Sequence, residues 1–301
     1  MGVTTKGVAF NNDLVAWKFN RRIISSTIMV PSFLRQFVNE SEKVFQEFEI
    51  YWINLTKENN NYVLNFPDWS TRFFADAISL ASIGKPAHMM ATQYNRLVPK
   101  DLKTLNSKPG LYQFEEFLDR IRLWLKSNPE KKAKVYAEID NVFKGDKIRP
   151  MTYDDIEKLV YVEAAAKESS RLMPIVPSVF KRAINDVMIG GLNWKTGQEF
   201  FVHQHYIHHN KSHWSNPEEF IPERFLGGTN KIEKNSFIPF GGGIRQCPGR
   251  HLGMTGIKTF IALLFRKYDV SLEDPKAPLK KVYTLANECH ELKLYIQPRK
   301  D

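Results

Sequence analysis

The chain has 301 residues, of which 43% are hydrophobic, and this much apolar material excludes an intrinsically disordered protein. A formal charge of +10 is spread along the chain without a run of five basic residues, which argues against a nucleic-acid partner. Two cysteines are too few for a disulfide framework, and no stretch approaches the ~18 apolar residues that a membrane span needs.

The first half of the sequence predicts helices. Apolar residues follow a helical stripe over residues 44–55. A second helix is predicted over residues 70–83, where Gly84 and then Pro86 end it, and a third begins near Pro129. Each of these segments has one apolar face, so each is expected to pack against a common core.

The second half adds short strands to further helices. Thr152 and Asp155 form a predicted capping box, and the helix after it runs to about Leu172. Residues 186–189 and 199–204 predict a small sheet region, residues 291–297 alternate like a strand, and residues 248–265 predict a fully buried helix. The expected fold is mainly α with a small antiparallel β part, in one domain over residues 1–301.

A cysteine follows a run of glycines near the start of the predicted buried helix. Residues 237–253 read FIPFGGGIRQCPGRHLG, and consecutive glycines let a backbone bend tightly. With Pro248 at the first helical position, Cys247 would meet the helix N-terminus, which favours a thiolate that can bind a metal. A buried free cysteine is the plain alternative. A phosphate loop is disfavoured because no Gly-Lys-Ser/Thr follows.

This segment resembles the haem-binding loop of cytochromes P450, whose pattern is Phe-x-x-Gly-x-Arg-x-Cys-x-Gly. The matching residues are Phe240, Gly243, Arg245, Cys247 and Gly249. The resemblance implies an incomplete cytochrome P450 fold that binds haem b, with Cys247 as the axial iron ligand. It also implies that Phe240 lies beside the sulfur and that Arg245 pairs with a haem propionate.

A Glu-x-x-Arg pair precedes the cysteine segment. Glu168 and Arg171 share one face of a predicted helix, where such a pair is usually surface decoration. Residues 222–225 read Pro-Glu-Arg-Phe and resemble another P450 segment. The resemblance implies that Arg224 joins Glu168 and Arg171 in a buried charge network, whose role is structural rather than catalytic.

Two further positions bear on the haem propionates. Trp17 and Arg21 share a helix face, which by itself fits an ordinary amphipathic turn. The resemblance implies that both donate to a propionate. It also implies a further cation ahead of the small sheet, for which Lys181 or Arg182 is available and Arg182 is favoured.

The sequence departs from the P450 pattern on the oxygen side. In the family, a long helix with Ala/Gly-Gly-x-Asp/Glu-Thr crosses the haem, and its acid and alcohol deliver protons to bound oxygen. No threonine of this chain fits that motif, so this helix is expected to be missing between about residues 85 and 127. Residues 114–124 would then be a remnant beside a deletion. No catalytic residue is identified, and the family's N-terminal anchor and early strands are also expected to be missing.

The resemblance implies a monooxygenase that oxidises a small apolar substrate. It implies NADPH-cytochrome P450 reductase or a similar electron donor, and peripheral membrane contact on the cytosolic side. One alternative is an inactive truncated or splice-derived fragment. Another is a reductase-independent hydroperoxide isomerase or dehydratase, which needs no acid–alcohol pair.

A metal site of histidines is the remaining alternative. The candidates are His203, His205, His208 and His209. On a strand His203 and His205 would share a face, whereas a structural zinc site needs four convergent ligands. The sequence therefore disfavours zinc at this segment.

Overall fold

The computed structural model describes residue 8 and residues 11–59, 63–98, 129–227, 232–276, 281–283, 287–289 and 291–300. The helices are α1 (Leu14–Ile28), α2 (Pro31–Asn59), α3 (Phe66–Ile83), α4 (Met89–Leu97), α5 (Pro129–Phe143), α6 (Tyr153–Glu157), α7 (Val160–Leu172), α8 (Gln204–His209) and α9 (Arg250–Lys267). The strands are β1 (Val63–Asn65), β2 (Ser178–Arg182), β3 (Val187–Ile189), β4 (Leu192–Trp194), β5 (Glu199–His203), β6 (Tyr268–Leu272), β7 (Lys281–Tyr283), β8 (Asn287–Cys289) and β9 (Lys293–Pro298). The structure is mainly helical with small antiparallel sheets, which confirms the predicted fold class.

The helices of the first half follow the predicted stripes. The inward face of α2 is Val44, Phe45, Phe48, Tyr51 and Trp52, all of which are buried. Helix α3 starts at Phe66, earlier than predicted, and ends where Gly84 takes a left-handed φ of 69° and its N–H donates to the Leu80 carbonyl. Helix α4 was not predicted. The buried carboxylate of Asp76 accepts from the N–H groups of Met89 and Met90 and caps its first turn.

The most buried helix is α9, which lies against α2, α5 and α7. Its residues from Thr255 to Arg266 are buried, and the Phe260 ring packs 4.7 Å from that of Phe73. The predicted start at Pro248 is wrong, because Gly249 is the N-cap with a turn conformation and Arg250 is the first helical residue. Cys247 therefore lies two residues before the N-cap and not directly before the first helical residue.

The sheets are small and antiparallel. The three-stranded sheet has the order β1-β9-β6, with Leu64 paired to Leu294 and Val270 paired to Ile296 on the buried face. The alternation predicted for residues 291–297 is confirmed in β9, where Leu294 and Ile296 are buried between exposed neighbours. Strands β2 with β5, β3 with β4, and β7 with β8 form two-stranded sheets.

The predicted features of the middle of the chain are confirmed. Helix α5 begins at Pro129 and buries Val135, Ile139 and Phe143. Thr152 and Asp155 make the capping box at α6, and α7 ends at Leu172. In the described ranges every helix is too short or too polar to cross a lipid bilayer.

Candidate functional site

The cysteine loop, residues 240–249, is a compact backbone bend with an exposed thiol. The N–H of Cys247 donates to the Phe240 carbonyl at 2.9 Å, which closes the loop, and the Cys247 side chain is exposed. Gly241 and Gly243 have φ values of 73° and 67°, in the left-handed region that favours glycine. The sequence folds this way because glycine adopts a positive φ at both positions without steric strain.

Open space surrounds the loop on its glycine side. A Cβ built on Gly241, Gly242 or Gly243 would meet no atom within 4 Å, and one on Gly249 would touch the Cys247 sulfur at 3.8 Å. The glycines thus expose bare backbone and an accessible sulfur. A flat group that brings a metal to the thiol could lie against such a surface without displacing a side chain.

A cationic cluster, formed by Trp17, Arg21 and Arg245, joins α1 to this loop. The guanidinium carbon of Arg245 lies 4.0 Å from the centre of the buried Trp17 ring, and that of Arg21 lies 6.0 Å from it. Arg245 donates to the Asn11 carbonyl at 2.8 Å, and Arg21 donates to the Gln246 carbonyl at 2.5 Å. The structure therefore brings together three residues that the sequence predicted for one ligand.

The arginines of this cluster donate to carbonyl groups. Among the described residues, no carboxylate lies within ion-pair distance of Arg21 or Arg245, and burial lowers the pKa of Arg245. The indole N–H of Trp17 donates to the Val8 carbonyl at 3.1 Å. Two guanidiniums with carbonyl partners only are suited to bind an anionic group such as a carboxylate.

The predicted charge network of Glu168, Arg171 and Arg224 is assembled behind the loop. Glu168 and Arg171 have no exposed surface, and they form two parallel hydrogen bonds of 2.8 and 2.9 Å. Arg171 also donates to the carbonyls of His208, Pro217 and Glu219 at 2.9, 2.6 and 3.0 Å. Every nitrogen of this buried guanidinium therefore has an acceptor.

The third member of the charge network enters from the short helix Pro222–Phe225. The Arg224 Nε atom donates to Glu168 at 3.3 Å, and its two terminal nitrogens donate to the Ser215 hydroxyl and the Asn216 carbonyl. The Ile221 N–H adds a further bond to Glu168 at 2.9 Å. One carboxylate thus holds two arginines and one backbone N–H in a fully buried setting.

An adjacent hub at Glu223 was missed by sequence reasoning. Its carboxylate accepts from Lys131 at 3.0 Å, from Lys134 at 2.9 Å and from the Tyr161 hydroxyl at 3.1 Å. Burial opposes ionisation of Glu223, but these donors outweigh it and lower its pKa to about 2. The two lysines three residues apart on one helix face were the available signal.

Arg182, the favoured candidate for a further propionate contact, lies in the small sheet of β2 and β5. It is exposed on β2 and pairs with Glu199 on β5, its Nε donating at 3.0 Å. No contact in the described part of the chain joins Arg182 or Lys181 to the cationic cluster. The cross-strand register, which sets Arg182 opposite Glu199, explains this position.

The histidines do not form a metal site. No group of three or more histidine, cysteine or acidic side chains converges in the described ranges. The expected strand ends at His203, whose ring accepts from the Tyr206 N–H and so begins helix α8. His209 bonds to the His205 carbonyl, and His208 is buried with Nε2 accepting from the Ile238 N–H.

Residues 99–128 lie outside the described residues, and with them most of the segment where the oxygen-side helix is expected to be missing. The expected remnant over residues 114–124 lies there too. The residues that are described do fit haem. An exposed thiol on a bare glycine bend suits the iron, and uncompensated arginines beside the loop suit the propionates.

Comparisons with known proteins identify the family of the chain. The family model of cytochrome P450 matches residues 118–294. Mouse cytochrome P450 4V2 is 32% identical over 156 residues, which are 52% of this chain and 30% of that protein. Rat steroid 17-alpha-hydroxylase/17,20 lyase is 33% identical over 171 residues, which are 56% of this chain and 33% of that protein. These matches span about a third of the length of each curated relative.

The fold of the chain is similar to that of a solved cytochrome P450. A crystal structure of a cytochrome P450 (CYP102L1) superposes with a TM-score of 0.77 and 20% identity. The superposition covers 97% of this chain and 84% of that chain.

Proposed function

Because the chain belongs to the cytochrome P450 family, whose cofactor is haem b, we propose that Cys247 is the thiolate ligand of the haem iron. The observation that carries the proposal is an exposed sulfur on a closed glycine bend, next to two arginines that have no acidic partner among the described residues. The bound group would supply oxygen activation, which a thiolate favours by donating electron density to the metal.

The residues around the loop have distinct roles in this proposal. Arg245, Arg21 and the Trp17 N–H hold the propionates, exchanging their present carbonyl acceptors for carboxylates. Gly249 leaves room beside the sulfur, and Gly243 leaves open space on the loop. The Phe240 carbonyl accepts a hydrogen bond from the Cys247 N–H.

Glu168, Arg171 and Arg224 hold residues 208–221 against helix α7 and do not touch the reacting atoms. Residues 1–301 form one domain in this proposal, which is supported by a continuous hydrophobic core from Phe33 to Ile296.

The activity that we propose is a monooxygenase reaction on a small apolar organic molecule. It requires electrons from a reductase such as NADPH-cytochrome P450 reductase. Family membership supports the reaction class, and the net charge of +10 suits an acidic electron donor.

One observation favours a second candidate. No threonine of the sequence lies in the acid–alcohol motif that delivers protons to bound oxygen. A P450-like isomerase or dehydratase of hydroperoxides needs no such pair, because its substrate already contains the O–O bond. Turnover of a fatty-acid hydroperoxide without reductase supports this candidate, and turnover that depends on reductase and O₂ excludes it.

The iron ligation is tested by the carbon monoxide spectrum of the reduced, haem-reconstituted protein. We expect the Soret band typical of thiolate ligation, its loss in Cys247→Ala, and its retention in Cys289→Ala. Cys289 is the matched control because it is the only other cysteine. An unchanged band in Cys247→Ala overturns the assignment.

A further inference from the structure

A buried histidine connects the charge network to the cysteine loop. His208 has no exposed surface, and its Nε2 atom accepts a 2.9 Å hydrogen bond from the Ile238 N–H. Its ring packs 5.3 Å from that of Phe237. Ile238 belongs to the arm, residues 237–240, that enters the cysteine loop, so the histidine holds the arm by its backbone.

The ring of His208 is neutral and has one defined tautomer. Desolvation, with the charges of His209 and Arg171, lowers its pKa to about 3, and the Ser170 carbonyl only partly opposes this shift. Because Nε2 accepts from Ile238, the single ring proton is on Nδ1. The Nε2 lone pair is therefore available to the arm throughout the neutral pH range.

Backbone hydrogen bonds continue from His208 in both directions. Its carbonyl accepts from Arg171 of the charge network at 2.9 Å. On the other side, the Ile238 carbonyl accepts from the Gly241 N–H at 2.9 Å, and the Phe240 carbonyl accepts from the Cys247 N–H at 2.9 Å. A continuous path thus runs from the buried carboxylate to the cysteine that carries the sulfur.

We propose that His208 is a positioning residue that holds the arm, and with it Cys247, at a fixed place relative to the charge network. The part of this inference that concerns iron rests on the proposed function above. The charge network alone does not bond to the arm, since its side-chain partners lie in residues 168–224. His208 supplies the missing side-chain link to residues 237–247.

Two substitutions of nearly equal polarity separate this role from general packing. His208→Gln places a carbonyl oxygen close to the position of Nε2, whereas His208→Asn places it close to that of Nδ1. Only the glutamine variant can accept from the Ile238 N–H. His209→Asn, in the same helix, is the control for changes to α8.

The first measurement is amide hydrogen exchange of peptides from residues 236–249 in the haem-free protein. A buried N–H left without an acceptor is destabilising, so we expect about tenfold faster exchange in His208→Asn. His208→Gln and His209→Asn should exchange like the wild type, and peptides from residues 255–266 should not change. Equal exchange in His208→Asn and His208→Gln overturns the proposal.

The second measurement is the fraction of carbon monoxide complex with the thiolate-type Soret band. We expect this fraction to fall at least threefold in His208→Asn and to be restored in His208→Gln. Faster exchange with an unchanged band overturns the link from the arm to the sulfur. If the wild type lacks the band, the proposed ligation fails, and the exchange result still decides whether His208 holds the arm.

Discussion

The charge network and the cationic cluster both contain two arginines, but they balance charge in opposite ways. In the charge network, Glu168 accepts from Arg171 and Arg224, and the remaining guanidinium nitrogens have carbonyl or hydroxyl acceptors. In the cationic cluster, Arg21 and Arg245 donate to carbonyls and have no acidic partner in the described part of the chain. The charge network therefore needs no ligand to neutralise its arginines, whereas the arginines of the cationic cluster can still bind an anionic ligand.

This difference separates structural from ligand-binding arginines. A buried charge with its partner in place stabilises only as long as every member is present. A partly buried cation without a counter-charge is a cost to the empty protein, which a bound carboxylate relieves. Stability and haem affinity should therefore respond to different substitutions, which the following predictions test in order of decreasing effect.

Removing the shared carboxylate should have the largest effect. Glu168→Gln leaves two buried guanidiniums without their counter-charge, and we expect the free energy of unfolding to fall by roughly 3–5 kcal/mol. Denaturation in guanidinium chloride measures it. Glu199→Gln, which removes the exposed partner of Arg182, is the matched control and should change little. If the free energy of unfolding fell by a similar amount in both variants, the buried charge network would not be more important for stability than the exposed pair.

Removing a cation from the open cluster should affect binding instead. Arg245→Leu takes away one charged donor, so the dissociation constant for hemin should rise about 10–100-fold. The unfolding free energy of the haem-free protein should not fall, because burial already disfavours this charge. Arg182→Leu is the comparison: an equal rise in the dissociation constant there would support Arg182 as a further propionate contact, and an unchanged constant would exclude it.

The hub at Glu223 predicts a pH dependence of stability. Its pKa is lowered to about 2 in the folded protein, against about 4.3 in an unfolded chain. The stabilisation is present above the unfolded value and is lost as pH falls from about 4.3 to about 2, by roughly 1–3 kcal/mol.

The pH dependence is tested by measuring the unfolding free energies of the wild type and of Glu223→Gln between about pH 4.3 and pH 2. The two curves should converge at low pH. Parallel curves would show that Lys131 and Lys134 do not hold this carboxylate in its ionised form.

The smallest effects distinguish two neighbouring glycines. Gly243 has a φ of 67°, so Gly243→Ala should destabilise the haem-free protein by about 1 kcal/mol. Gly242 has extended backbone with φ −150°, and its Cβ would meet no atom within 4 Å. Gly242→Ala should therefore leave stability unchanged but weaken hemin binding. Unchanged hemin affinity would mean that the ligand does not approach this face.

Local patterns predicted much of the fold and part of the site. The stripe of α2, the glycine end of α3 and the capping box of α6 depend on neighbours within four residues, which a sequence displays directly. Glu168 with Arg171 is also local. The position of Arg224 beside them came from a family resemblance, since its contacts join segments 56 positions apart.

The features that sequence patterns did not show depend on contacts between elements. Arg182 stays a prediction as a propionate contact, and the register of β2 with β5, which sets Glu199 opposite it, was not predicted. The strand predicted over residues 199–204 ends at His203, and the helix that begins where the His203 ring accepts from the Tyr206 N–H was not predicted. Helix α4 was missed because its cap, Asp76, comes from α3. Arg182 and Glu199 are 17 positions apart in the sequence, and Asp76 and Met89 are 13 positions apart.

The central place of β9 in its sheet has a consequence for synthesis of the chain. Asn65 at the end of β1 bonds to Leu292 beside β9, 227 positions away. At ribosomal rates of about 5–20 residues per second, β1 and α3 wait roughly 10–45 seconds for that partner. During this time, the aromatic faces of α2 and α3 are exposed to solvent because the C-terminal residues of the core have not yet been made. The nascent chain is therefore expected to depend on chaperones until β9 has been translated.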